Sequence, residues 1–174
     1  MISIIIKTDK RSRIEIVTNK LHQTITEKII KEVQLLLSGS VYASLAVFDS
    51  DSKHPSVSRV AMADGNNHSP VILTSALSPH TKALKTNANC SLLIGRVGAG
   101  DPMAQSRITL FCTASMVKDK EREKVRASFL DRNPKAINYI DLPDFSLWNL
   151  RVERATYIAG FGRAYHISGQ QLFD

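Results

Sequence analysis

The chain has only two cysteines, one tryptophan and 6% aromatic residues in 174 positions, and each scarcity removes a class of function. Cys90 and Cys112 lie in separate apolar stretches and form neither a CxxC nor a Cys/His cluster at metal-ligand spacing. A structural zinc site and dithiol chemistry are therefore not expected, and both read as buried, unreactive thiols. The five histidines, His22, His54, His68, His80 and His166, contain no HExxH pair, and no GxSxG elbow occurs. Zinc-hydrolase and serine-hydrolase readings lapse with them. No apolar run reaches membrane length. The opening Met1–Ile6 is too short to span a bilayer and lacks the basic start and cleavage site of a secretory signal, so the chain reads as cytoplasmic with no membrane partner. The lone Trp148 reads as packing rather than as a base-stacking platform.

What the chain has in excess is positive charge, +7 at neutral pH. That favours an anionic partner: a phosphate-bearing cofactor, a haem with its propionates, or nucleic acid. The charge is dispersed. Lys7, Lys10, Arg11, Arg13 and Lys20 gather near the start, whereas Lys118, Lys120, Arg122, Lys124 and Arg126 alternate with acids as on a solvated helix face. No basic stripe with interleaved aromatics appears, so nucleic acid is not expected.

Hydrophobic spacing lays out one domain over 1–174, with residues 1–20 left unplaced. From Thr24 to Leu37 the residues Ile25, Ile29, Val33 and Leu36/Leu37 recur at helical spacing, closed by Ser38-Gly39-Ser40. Strand patterns follow at Val41–Asp49, Val57–Ala63, Val71–Ser75, Cys90–Arg96 and Ser106–Val117. Asp49–Lys53 and Asp64-Gly65-Asn66-Asn67 supply turns. A helix is expected over Lys118–Arg132, a short one over Pro134–Tyr139, and two final strands at Asp144–Arg151 and Thr156–Ile167. Many short strands with few helices between them describe a mainly β protein, a barrel with helices packed outside, and not an alternating βαβ chain.

Four stretches could carry chemistry. Ser78-Pro79-His80-Thr81-Lys82 follows the third strand. Ser78 is a good N-cap and Pro79 a good first helical residue, so the helix start is expected to offer amides and its positive dipole end to an anion, with His80, Thr81 and Lys82 nearby. The bland alternative is a plain Ser-Pro helix start. Arg107 stands at the rim of a strand whose Ile108, Leu110 and Cys112 are expected to be buried; it suits a planar fork to a phosphate or a surface ion pair equally. Arg59 is open in the same way. Gly160-Phe161-Gly162-Arg163-Ala164 permits a bulge or a close approach at the last strand. It is not a dinucleotide fingerprint, because Tyr165 stands where Gly or Ala is required.

Several blocks in order carry a family resemblance. Tyr42–Ala46 with Pro55–Ser58 resembles the first hairpin of the FMN-binding split-barrel (pyridoxamine 5'-phosphate oxidase-like) superfamily. Leu73-Thr74-Ser75 with Ser78–Leu84 and Asn87–Leu93 resembles its cofactor-binding stretch. The His-Thr-x-x-Leu form of that stretch, Asp101-Pro102, Arg107–Leu110, Asp141–Phe145 and Gly160–Tyr165 are similar to its haem-utilisation branch. The resemblance covers about 24–170. It implies a split β-barrel and a homodimer with the cofactor at the subunit interface. It implies a cofactor site drawn from Ser58, Arg59, Thr74, Ser75, Ser78, His80, Thr81, Lys82 and Arg107. Ser58 and His80 stand where the flavin enzymes often carry basic residues, and the C-terminal Trp/Arg substrate motif of the true oxidases is absent, so vitamin B6 oxidation is not assigned. The reading placed first is an FMN-binding flavin-dependent oxidoreductase of unknown substrate. The second is a haem-binding or haem-utilisation protein with His166 or His80 as the metal ligand, and the third a non-enzymatic dimer without a cofactor.

Overall fold

A side-chain cap sets where the first helix begins. Thr26 keeps an extended backbone and its Oγ1 accepts a hydrogen bond from the Ile29 amide, so α1 runs Glu27–Ser38 and ends on Gly39. Ile29, Val33 and Leu37 form its buried stripe, the spacing expected from the sequence.

The computed structural model describes residues 24–65, 69–95 and 97–173, together with two short strands nearer the N-terminus, β1 (Ile5–Thr8) and β2 (Ile14–Val17), which pair antiparallel. The expected turn residues Asn66 and Asn67, the strand-end Arg96, and His22 and His68 lie outside the described residues, as does most of the unplaced 1–20 segment. After α1 come β3 (Tyr42–Phe48), β4 (Pro55–Asp64), β5 (Pro70–Ser75), α2 (Pro79–Thr86), β6 (Asn89–Gly95) and β7 (Arg107–Met116). Then follow α3 (Asp119–Arg132), a 3-10 turn at Pro134–Asn138, β8 (Phe145–Ile158), β9 (Ala164–Ser168) and α4 (Gly169–Phe173).

The strand order is β5-β4-β3-β6-β7-β8, and β5 pairs again with β8, which closes a six-stranded antiparallel barrel; β9 continues the sheet beyond β8. Alternation assigns the two sides. Ala43, Leu45, Val47, Val60, Leu92, Ile108 and Leu110 point into the barrel with Ile72, Trp148 and Leu150, under Ala83 and Leu84 of α2. β5 is buried on both faces, because its Val71 and Leu73 pack outward against Val125 and Phe129 of α3, Ala136 and Ile140. That is why it reads as a continuous apolar run rather than an alternating one.

The end of the chain departs from the expected pattern. Asp144–Arg151 and Thr156–Ile167 were expected as two strands, yet a single strand of 14 residues runs through Val152–Ala155. The charged stretch is accommodated by a bulge: Phe111 faces Arg154 and Cys112 faces Val152, which leaves Glu153 as the extra residue. Its carboxylate accepts from Thr113 Oγ1 at 2.6 Å and Arg151 Nη2 at 3.0 Å. The real break falls at Gly160 and Gly162, whose φ values of +127° and +72° turn the chain into β9.

Candidate cofactor site at the α2 end of the barrel

β4 and α2 bring together the two residues that define this site. Ser58 lies opposite the fully buried Leu45, so its side chain shares the inner face of the strand. α2 starts beside it because Pro79 occupies the first helical turn after the N-cap Ser78. Ser58 Oγ and His80 Nδ1 meet at 3.0 Å. His80 is half-buried, and burial lowers its pKa, which favours the neutral imidazole. Among the described residues Nε2 has no hydrogen-bond partner.

Its neighbours are bound up internally. Thr81 is buried and donates from Oγ1 to the Ser75 carbonyl at 2.7 Å. Ser75 Oγ donates to Asp144 Oδ2 at 2.5 Å and accepts from the Leu77 amide. Lys82 forms an exposed 2.7 Å ion pair with Asp51, which raises its pKa chiefly through that hydrogen bond. Ser78 makes no side-chain cap; its carbonyl instead accepts from the Thr81 and Lys82 amides at 3.0 and 3.4 Å. The helix start therefore offers an anion fewer groups than its sequence suggested. Thr74 is 2% exposed, and its Oγ1 has no partner.

The remaining expected residues lie elsewhere. Arg59 points to the outer face and sits 5.3 Å from the Tyr42 ring centroid. Arg107 ties down its own loop, donating from Nη1 to the carbonyls of Met103 and Gln105. It stands on β7, across the closed ring from β4, and three residues away from Leu110, the β7 member of the row that holds Ser58. His166 is exposed on β9, with Nδ1 3.3 Å from Thr156 Oγ1. Within one chain, then, Ser58 and His80 come together, while Arg59, Arg107 and His166 lie outside that pair. Asp51 and Asp144 were missed as site neighbours. Asp144 fell within a noted block, but a strand-end acid gives no local sign of the serine 69 positions away that it holds.

Across the outer face the register sets Arg59, Ser44, Leu93, Thr109, Thr156 and His166 in one row over six strands. The next row holds Val57, Ala46, Ser91, Phe111 and Arg154, with the Arg154 guanidinium 3.6 Å over the Phe111 ring. Val57, Leu93 and Tyr42 are 68%, 46% and 43% exposed on this face. Cys90 and Cys112 face each other across β6 and β7 as buried free thiols; burial pushes Cys90 up to about 11 and Cys112 further in the same direction. Among the described residues no group of three potential ligands gathers around a metal position, and no helix is long and apolar enough to cross a membrane.

Comparison with known proteins supplies the context. The family model for the CREG β-barrel matches residues 24–174. The chain is 35% identical over 144 residues to the chloroplast haem oxygenase HOZ of Arabidopsis thaliana, an alignment covering 81% of this chain and 43% of that one. It therefore spans less than half of the plant protein's length. It is 31% identical over 135 residues to the haem oxygenase HutZ of Vibrio cholerae, covering 75% and 76% of the two chains. The solved haem-binding protein of Mycobacterium smegmatis superposes with a TM-score of 0.78 at 28% identity, over 86% of this chain and 61% of that one. A pyridoxinephosphate-oxidase-family protein of Clostridium acetobutylicum shares the split-barrel fold, with a TM-score of 0.67 at 15% identity over 86% and 100% of the chains.

Proposed function

We propose that this chain, which belongs to the CREG β-barrel family, is a haem-binding protein of haem utilisation, and that His80 is the side chain it offers to iron. The observation that carries the reading is the Ser58–His80 pair. An imidazole is a fitting donor for haem iron, and such ligands commonly hold their second nitrogen in a hydrogen bond. His80 has Nδ1 engaged, stands half-buried and favours its neutral form. Relatives named for haem chemistry support the choice of ligand class. Bound haem would supply the redox chemistry. This chain's own residues would bind and orient it and keep water from one of its faces.

Flavin, the cofactor placed first by resemblance, finds less here. Ser58 and His80 occupy the positions where that resemblance leads one to look for basic residues, and Lys82 is neutralised by Asp51. We also place the chain in a homodimer formed through the outer sheet face, where Val57, Leu93 and Tyr42 stand exposed. The two reduced, buried thiols suit a reducing compartment, and the cytoplasm is the proposed location.

Haem titration of the purified protein tests the reading. A saturable Soret band is expected, lost in His80→Ala and kept in His166→Ala. No Soret shift would overturn haem binding and leave a dimer without a cofactor. Loss of the band in His166→Ala alone would move the ligand to β9. Flavin absorbance in the fresh protein would return the FMN reading.

A further inference from the structure

Ser58 stands on the inner face of β4, in a row that continues through Leu45, Leu92, Leu110, Ala155 and Ile167. Every other member of that row is apolar and buried. An aliphatic side chain would serve packing at this position as well as a serine does. Among the described residues the hydroxyl meets one hydrogen-bond partner, His80 Nδ1 at 3.0 Å. Strand pairing to β3 fixes the Ser58 backbone, and Pro79 in the first turn of α2 fixes the approach of His80. Two rigid elements thus meet at one polar contact.

A neutral imidazole carries its proton on one nitrogen only: with Nδ1 donating, Nε2 keeps its lone pair, and with Nδ1 accepting from a hydroxyl, Nε2 carries the N–H. We infer that Ser58 is a positioning residue for His80: its Oγ accepts the Nδ1 proton, which fixes the tautomer that leaves the Nε2 lone pair free. A ligand arriving at this end of the barrel then meets a preformed donor atom and not an N–H. The purpose of this arrangement rests on the haem reading above. The tautomer itself is a property of the protein without iron.

The experiment is therefore done first on the ligand-free full chain, by long-range proton–nitrogen NMR of His80 at a pH where the ring is neutral. The expected result is an Nδ1–H ring in the wild type, giving way to the Nε2–H form favoured by imidazole in water when Ser58→Ala removes the acceptor. Ser58→Thr, which keeps the hydroxyl, should retain the wild-type tautomer; it also serves as the reading if the alanine variant does not fold. An Nε2–H ring in the wild type, or a ring indifferent to both substitutions, overturns the inference. In the haem-loaded protein, Ser58→Ala should weaken haem binding by about 10- to 100-fold, the usual effect of losing such a partner. It should also lower the iron–histidine stretching frequency of the ferrous form, while Ser58→Asp, a stronger acceptor, should raise it. Shifts in the same direction for both variants would overturn the inference, because a purely structural role damages both alike. A wild type with the Nδ1–H ring but no Soret band would sink the haem reading and leave the positioning role standing.

Discussion

Thr74 carries a hydroxyl into a place that has no use for it. Its Oγ1 is buried without a partner, on the same inner face as Ile72 and Trp148, and the Trp148 indole N–H is equally unpaired. An unmet buried hydroxyl has lost its water without recovering the bond. Thr74→Val keeps the shape and removes the group. It is expected to stabilise the fold by about 1 kcal/mol in urea denaturation; a destabilisation of similar size would mean that an internal water satisfies the hydroxyl. Single residues were also where the sequence spoke least clearly. Ser58 and Arg59 are neighbours in the chain and were read as one site, but a strand sends consecutive side chains to opposite faces. Only Ser58 faces His80; Arg59 rests on Tyr42.

At the scale of elements, alternation and helical spacing carried most of the pattern. β3, β7 and α1 fall where Leu45, Ile108 and Val33 place them, because each element must bury one stripe. β8 did not follow, since a bulge at Glu153 lets a charged stretch stay within a strand. No local signal marks that, for its compensation comes from Thr113 on the neighbouring strand. α3 is held at its outer side by charge. Arg126 grips Asp141 in a fork, Nε to Oδ1 at 2.9 Å and Nη2 to Oδ2 at 2.5 Å, while Arg122 donates to the Ile140 carbonyl. The Arg126 hydrogen bond is the main cause that lowers the Asp141 pKa below its ordinary 3.8. A carboxylate with a depressed pKa stabilises the fold above its unfolded value, and that stabilisation disappears as pH falls through the folded value. Asp141→Asn should therefore lower the Tm by a few degrees at pH 7, and the gap from wild type should close as the pH falls below the ordinary carboxylate value. A gap that persists undiminished at low pH would show that the fork contributes no charge-dependent stability.

For the whole molecule, the barrel was legible because its strands are short, numerous and separated by recognisable turns. A homodimer was implied by the family resemblance alone, since one sequence records no second copy. The outer face presents Val57 and Leu93 over a floor of Ser44, Ala46 and Ser91, small residues that allow another sheet to approach closely. If that face joins two copies, the double substitution Val57→Asp with Leu93→Asp should halve the mass measured by light scattering while leaving the circular dichroism of the barrel unchanged. A wild-type protein that is already monomeric at micromolar concentration would rule out this arrangement.

The strand β8 serves two structures at once. Its first half, Phe145–Asn149, closes the ring against β5, and its second half, Arg154–Ile158, carries β9 outside that ring. The ring draws on both halves, because β7 pairs with β8 from Trp148 through to Ile158. β9 and α4 are sealed onto that ring, with Tyr165, Ile167 and Leu172 buried in the barrel's own apolar core. Amide exchange should therefore be slow along the whole of β8 and across the β9 ladder alike, so that His166, though exposed, rides on a part of the molecule as firmly anchored as the one that carries His80.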